Sequence, residues 1–163
     1  MRVGAAIDIS APAEAVWEHV SDPERYLHFM SGVTRWEVVS DEPRGLGARY
    51  RMLFRVGSAE VGGLIEVIEF DECRDLAWTS VTGLDQRGRW RLRERDAGRT
   101  RVEMRLSYGV AGAGLFGWLA ERIAARTVRG HLERTVQQLK RQVEQEQTRR
   151  KAAARRAARA RAS

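Results

Sequence analysis

The chain has 163 residues and a formal net charge of +7, and this length suits one domain with a hydrophobic core. No segment approaches the roughly 18 consecutive apolar residues that a membrane-spanning helix requires. Asp8 and Glu14 interrupt the region where a secretory signal would need its apolar run. Cys73 is the single cysteine, so a disulfide within the chain is excluded. These features predict a cytoplasmic protein.

The positive charge is concentrated in one terminal segment. Residues 148–163 contain seven bases and no acid. Subtracting these seven from 29 lysines and arginines leaves 22, which equals the 22 acids, so residues 1–147 are neutral. We therefore predict a domain over residues 1–147 and a basic, alanine-rich tail over residues 148–163. The seven bases are Arg149, Arg150, Lys151, Arg155, Arg156, Arg159 and Arg161.

The tail has two interpretations. Seven bases on a short segment favour weak, non-specific binding of nucleic acid or of an anionic membrane surface. A solvated tail without a partner is the alternative. In either case the alanines and arginines favour a helix that prolongs the preceding one for part of the time.

The first elements are a strand and two short helices. Apolar residues alternate from Val3 to Ile9, which predicts a half-buried strand. Pro12 and Glu14 suit the first turn of a helix. Asp22 followed by Pro23 gives a second short helix its cap and first turn.

Residues 33–108 alternate between strands and turns, which predicts about six antiparallel strands. Arginines alternate with apolar residues on several of them, so we expect the arginines to face solvent. The opposite, inward set is Tyr50, Met52, Phe54, Trp78, Trp90, Leu92, Met104, Leu106 and Tyr108. The facing of the segment Val61–Phe70 stays open, because Leu64, Ile65, Val67 and Ile68 are all apolar.

A long helix is predicted from Leu115 to about Glu146. One apolar stripe recurs at three- and four-residue steps. It comprises Trp118, Ala125, Val128, Leu132, Val136, Leu139 and Val143. A second apolar face comprises Leu115, Phe116, Leu119 and Ile123. One interpretation is that this face packs against Tyr26, Phe29 and Met30 of the second short helix. The other is that it forms with them the mouth of the cavity or a partner face. Such a face would meet a lid, a second subunit in a homodimer or a membrane.

Two segments near the N-terminus carry a family resemblance. The sequences Ala11–Trp17 (APAEAVW) and Ser21–Tyr26 (SDPERY), with the order of elements, resemble the polyketide cyclase/dehydrase and lipid-transport members of the START/Bet v 1-like (SRPBCC) superfamily. Further similarities are Leu76–Trp78, Gly98–Val102 and Leu139–Arg141. The resemblance covers residues 1–146. It implies an α+β helix-grip fold, in which a curved antiparallel sheet of about seven strands wraps round a long C-terminal helix, with two short helices after strand 1.

The resemblance also implies a cavity between sheet and helix, lined by the inward set with Trp118 and Val128. Bulky aromatic and methionine side chains suit a small apolar ligand, aromatic, polyketide-like or acyl. Three functions stay open: binding or carriage of such a molecule, an aromatic polyketide cyclase or dehydratase, and a scaffold or interaction protein with a polyanion-binding tail. Whether the protein is an enzyme is therefore open.

Few residues predict catalysis. Glu121 lies on the first stripe, and burial there would make it an acid, a base or an anchor for a ligand hydroxyl. The alternative is that Glu121 forms an ion pair with an arginine at the rim of the cavity. His19, His28 and His131 are far apart in sequence, so we predict no metal site, and we expect no cofactor. No serine stands near a histidine in a hydrolase pattern, so a hydrolase is not predicted. The glycine-rich residues 109–114 predict a loop over the cavity mouth.

Overall fold

The computed structural model describes residues 1–96, 98–109 and 115–162, with only the main chain for residues 115–124. In chain order the elements are β1 (Arg2–Ile9), α1 (Ala13–Val20), a 3-10 turn (Pro23–Arg25), α2 (Tyr26–Phe29), β2 (Val33–Val38), β3 (Arg49–Val56), β4 (Ala59–Asp71), β5 (Asp75–Gly83), β6 (Gln86–Asp96), β7 (Arg99–Tyr108) and α3 (Leu115–Ala162).

All seven strands form one antiparallel sheet in the order β1-β7-β6-β5-β4-β3-β2. Consecutive strands from β2 to β7 are neighbours, and β1 pairs with β7, for example through Val3 opposite Leu106. Strand β1 is therefore an edge strand, and α3 makes most of its contacts with the sheet along it. The predicted helix-grip fold is confirmed, with two short helices after the first strand and the long helix last.

The alternation in β3 separates the two faces of the sheet. Tyr50, Met52 and Phe54 are buried, while Arg49 and Arg51 are exposed. Because successive side chains of a strand point to opposite faces, this strand fixes which face of the curved sheet encloses the core.

Strand β4 shows why its sequence did not reveal its facing. The register with β5 shifts between Leu64 and Ile65 and again between Val67 and Glu69. At the first shift the extra residue is Val81 of β5, and at the second it is Ile68 of β4, where the bulge interrupts the period of two. Ile65 and Val67 are consequently buried, whereas the bulged Ile68 is 50% exposed on the outer face.

The described part of the α3 stripe fills the concave side of the sheet. Val128, Leu132, Val136, Leu139 and Val143 are all buried, and full burial of such a side chain contributes about 1.5–3 kcal/mol.

Helix α2 packs on this same core. Tyr26, Phe29 and Met30 are 3%, 0% and 6% exposed, respectively. These three side chains therefore belong to the core, and the expectation that they form an exposed mouth or partner face is corrected. The apolar side of a helix as short as α2 is largely covered by β2, the 3-10 turn and α3.

Helix α3 does not end near Glu146 but continues to Ala162. From residue 148 onward its side chains are exposed. Among the described residues, no helix combines the length and the apolar composition needed to cross a membrane.

Candidate ligand-binding face

The inward set predicted from alternation lies on the concave face. Its buried members are Tyr50, Met52, Phe54, Trp78, Trp90, Leu92, Met104 and Tyr108, and Val128 of α3 is buried opposite them. Leu106 is half-buried. The side chain of Trp118 lies outside the described residues. This face is therefore an apolar and aromatic surface against which α3 packs. Its contact with a ligand stays a prediction.

Four aromatic side chains form a cluster where β2, β3 and β5 meet α2. The Trp36 ring stacks on Tyr26 with centroids 4.1 Å apart, and it lies 5.3 Å from Tyr50 and 6.1 Å from Trp78. Trp36 was not among the predicted site residues. Its strand contains a register shift between Val33 and Arg35, which breaks the alternation that would have identified it.

The aromatic cluster encloses a void of about 10 Å³, which has room for about one water molecule. The void is lined by Trp36, Trp78, Tyr26 and Tyr50, with aliphatic residues of β4 and α1. This described portion of the interior is closely packed, so a ligand would have to lie farther along the face.

Three residues of the inner face, Trp78, Gly88 and Leu106, border an open groove of about 600 Å³. Trp78 lies across Gly88, since a Cβ built on that glycine would stand 2.0 Å from the Trp78 ring. Gly88 pairs with half-buried Leu106, and Gln86 pairs with Tyr108. Helix α3 begins only seven residues after Tyr108.

Buried hydrogen-bond donors at this face lack acceptors. The indole N–H groups of Trp36 and Trp78 and the amide nitrogen of Gln86 are buried without a partner among the described residues. An indole N–H is a donor only, and a buried unpaired polar group costs about 1–3 kcal/mol. The Trp90 indole N–H is also buried without a hydrogen-bond partner among the described residues, although its proximity to the Tyr26 hydroxyl opposes in part the rise that burial causes in the pKa of that phenol. The face therefore offers unused donors to an acceptor.

The tyrosine hydroxyls on the same face are already engaged. Tyr26 donates to the Val20 carbonyl at 2.6 Å and Tyr50 donates to the Pro43 carbonyl at 2.9 Å. Burial raises the pKa of Tyr50 to about 12 and raises that of Tyr26 further, so both phenols are neutral at neutral pH. These hydroxyls hold α2 and the β2–β3 loop in place.

The predicted acid–base residue and the second apolar face stay predictions. The side chains of Glu121, Leu115, Phe116, Leu119 and Ile123 lie outside the described residues. The helix that carries them is part of α3.

A serine and a histidine meet where the sequence separates them by 100 positions. The Ser31 hydroxyl lies 2.9 Å from Nδ1 of His131, and Arg134 donates to both groups at 3.2 and 3.0 Å. The two residues are distant in sequence, so the motif search that predicted no hydrolase could not identify this contact. Burial and the Arg134 charge lower the pKa of His131, so its neutral ring accepts hydrogen bonds. The Ser31 amide also donates to Thr135, and the group joins the α2–β2 loop to α3.

The groove of about 600 Å³ is lined by arginines together with Trp78 and Leu106 of the predicted inward set. Its charged lining residues are Arg2, Arg87, Arg89, Arg91, Arg105 and Arg129. Acids lie beside it: Glu69 pairs with Arg89, and Asp75 bonds Arg91 at 3.2 Å. Burial alone would raise the pKa of Asp75, but hydrogen bonds from Arg93 and Arg91 lower it. These carboxylates therefore neutralise part of the positive charge of the groove.

An ionic network joins α1 to the far part of α3. Nε2 of buried His19 lies 3.2 Å from Glu146 and 3.1 Å from Arg25, and its Nδ1 donates to the Ala15 carbonyl. Burial lowers the pKa of His19, with Arg25 adding to the shift and the Ala15 carbonyl and Glu146 opposing it. Arg150 continues the network. It binds both carboxylate oxygens of Glu18, at 3.3 and 2.7 Å, and it binds Glu146 at 2.6 Å.

The family model described as polyketide cyclase / dehydrase and lipid transport matches residues 1–144. Many solved structures share the fold. A protein from Thermus thermophilus is 25% identical with a TM-score of 0.76, over 88% of this chain and 97% of that chain.

Two more distant structures show the fold alone. The Zhui aromatase/cyclase from Streptomyces sp. R1128 is 23% identical with a TM-score of 0.68, over 94% and 97% of the two chains. A START superfamily protein from Mycobacterium smegmatis is 18% identical with a TM-score of 0.67, over 88% and 97%. No curated protein matches the chain.

Proposed function

We propose that this chain, which belongs to the polyketide cyclase/dehydrase and lipid transport family, binds a small, largely apolar molecule that carries acceptor oxygens. The observation that supports it is the set of buried, unpaired donors on the concave face, above all the Trp78 indole and the Gln86 amide. A ligand carbonyl would relieve the cost of burying these donors, while its hydrocarbon part would replace water against aromatic walls.

The chemistry of the face favours an aromatic or polyketide-like molecule over a plain acyl chain. An acyl chain carries its acceptor oxygens at one end only and its hydrocarbon part offers none to an indole N–H, whereas a ketone or quinone offers an acceptor at a fixed place on a rigid ring. Trp78 reaches from the packed aromatic cluster to Gly88, and it borders both the small void of that cluster and the groove of about 600 Å³. Its indole is therefore the donor best placed to meet a ligand oxygen.

Two probes of nearly equal size test this proposal. 2-Acetylnaphthalene carries a carbonyl where 2-ethylnaphthalene carries a methylene group, and tryptophan fluorescence reports the binding of each. We expect the ketone to bind about 3- to 10-fold more tightly, as one net hydrogen bond predicts. Trp78→Phe should abolish this preference. The ratio of the two affinities cancels any change in packing that the substitution causes.

Trp17→Phe is the matched control. Trp17 is also a buried indole without a partner among the described residues, but its ring packs against Phe70 and it does not line the void at Trp78. This variant should keep the ketone preference. Equal affinities of the two probes for the wild type would contradict the role of the donors. Absence of binding by both probes, with no molecule in native mass spectra of protein purified from its own host, would contradict ligand binding and favour the scaffold function.

Cyclisation is the second candidate, and the separated donors favour it. Two donors on neighbouring strands can hold two oxygens of one polycarbonyl chain, and holding a reactive chain in a folded shape is itself catalytic. Glu121 is the proposed acid or base. Turnover of a polyketide chain by the wild type, lost in Glu121→Gln while 2-acetylnaphthalene still binds, would support the enzyme. Turnover that Glu121→Gln leaves unchanged would exclude this role for Glu121.

A further inference from the structure

The tail is a continuous extension of α3, and one of its arginines contacts the domain. The helix runs without interruption from Leu115 to Ala162. Arg150 binds Glu18 of α1 through both carboxylate oxygens and Glu146 one turn earlier. The hydrogen bonds from Arg150 lower the pKa of Glu18, so the carboxylate is charged at neutral pH. The contact of Arg150 with Glu18 therefore fixes how the other six bases of the tail are oriented relative to α1.

The remaining bases are distributed unevenly round the helix. At about 100° per residue, five bases fall within an arc of about 160°. They are Arg149, Lys151, Arg155, Arg156 and Arg159, and all are exposed. Arg150 points to the opposite side, where it meets Glu18. The basic face therefore points away from α1, over an axial length of about 15 Å.

The composition of the other side separates two possible polyanions. Helices that bind in a membrane interface bury large apolar residues such as Trp, Phe or Leu opposite their charges. Here the side opposite the basic face consists of alanines with Arg150 and Arg161. It has little to insert among acyl chains. A duplex nucleic acid requires no insertion, because its phosphates lie on the surface at about one charge per 1.7 Å.

We propose that the basic face of α3 binds the phosphate backbone of duplex nucleic acid. Arginine and lysine contact phosphate oxygens through charge-assisted hydrogen bonds, and contacts of this kind fix position without requiring a sequence. The anchor at Arg150 would hold the ligand-binding domain on the side away from the duplex. The concave face would then stay accessible to its ligand.

Fluorescence anisotropy with a labelled 20-base-pair DNA, across a salt series, tests the proposal on the full chain. The tail variant replaces Arg155, Arg156 and Arg159 by glutamine, which keeps helix propensity. We expect it to bind at least tenfold more weakly at about 50 mM salt. It should also reduce the slope of log K against log salt by about 2.7, since each lost phosphate contact contributes about 0.9.

The charge-matched control replaces Arg2, Arg87 and Arg105 of the arginine-lined groove by glutamine. It should leave the salt slope unchanged. A reduced slope in this control with an unchanged tail variant would overturn the proposal and transfer binding to the sheet. Tail-dependent retention on vesicles of phosphatidylglycerol, without binding to DNA, would overturn it in favour of a membrane surface. Affinity for 2-acetylnaphthalene should be equal in the wild type and the tail variant, so the loss of DNA binding is independent of the proposed ligand.

Discussion

Two parts of α3 are held in helical form by different forces. Residues 128–143 present a stripe of buried apolar side chains to the sheet, so their helix is stabilised by packing. Residues 149–162 are exposed, and their helix rests on the propensity of alanine and arginine and on the anchor at Arg150. Continuity of a helix therefore does not indicate a uniform contribution to stability. The first part should unfold with the domain, whereas the second should open independently.

The largest effect of a substitution on the free energy of unfolding is expected in the buried part of α3. Leu139 is 0% exposed, and Leu139→Ala removes buried methyl groups and leaves a cavity. We expect the free energy of unfolding to fall by about 2–5 kcal/mol, as measured by urea denaturation. Arg156→Ala, in the exposed part, is the control and should leave the urea midpoint unchanged. Similar losses in both variants would contradict the division of the helix.

A stabilising change is available within the same helix. Gly130 lies in α3, and a Cβ there would approach only the Arg134 guanidinium, at 3.5 Å. Gly130→Ala should raise the free energy of unfolding by about 0.5–1 kcal/mol, because alanine loses less backbone entropy in a helix. Thermal denaturation measures the gain. A lower melting temperature would show that the space beside Arg134 is needed.

The stability contributed by His19, which contacts Glu146 between the two parts of α3, should depend on pH. Burial lowers the pKa of His19 from its usual 6.5, so the folded state binds its proton less readily than the unfolded chain does. The stability from neutral His19 is present above pH 6.5 and is lost as the pH falls through the folded pKa. His19→Gln should therefore flatten the fall in stability from about pH 6.5 to about pH 5. His28→Gln, at an exposed position of α2, should retain it.

The smallest effect is local. Arg150→Ala removes the contact with Glu18 and Glu146, so amide hydrogen exchange should accelerate from residue 147 onward while the urea midpoint of the domain stays constant. The lowered pKa of Glu18 shows that the contact with Arg150 requires the charged carboxylate. In the wild type this contact is therefore present above about pH 4.5 and is lost as the pH falls through the lowered pKa, which should produce the same local opening. Unchanged exchange in Arg150→Ala would mean that propensity alone holds the tail.

The sequence predicted those features that follow a regular period. Tyr50, Met52 and Phe54 were placed inward because β3 alternates strictly, and Leu132 and Leu139 were placed on the helix stripe for the corresponding reason. The facing of β4 and the burial of Trp36 were not predictable, because bulges interrupt both strands. Alternation carries no information about where a strand gains a residue.

Contacts between distant residues were also beyond the sequence. Ser31 meets His131 only because the α2–β2 loop crosses α3. The tail bases looked equivalent in sequence, yet Arg150 alone is shown to bind both Glu18 and Glu146. The unpaired indoles could not be foreseen either, since whether a buried donor finds an acceptor depends on the packing of several strands.

The measurement that tests the proposed ligand face most directly is the ¹⁵N–¹H spectrum of the tryptophan indoles. The chain has five tryptophans, and each indole N–H gives its own signal. On addition of 2-acetylnaphthalene, the Trp78 indole proton should move downfield as it gains a carbonyl acceptor, while the Trp17 signal stays in place. With 2-ethylnaphthalene the downfield shift should be absent. Saturating ketone with an unmoved Trp78 signal, or an equal shift with both probes, would contradict the account.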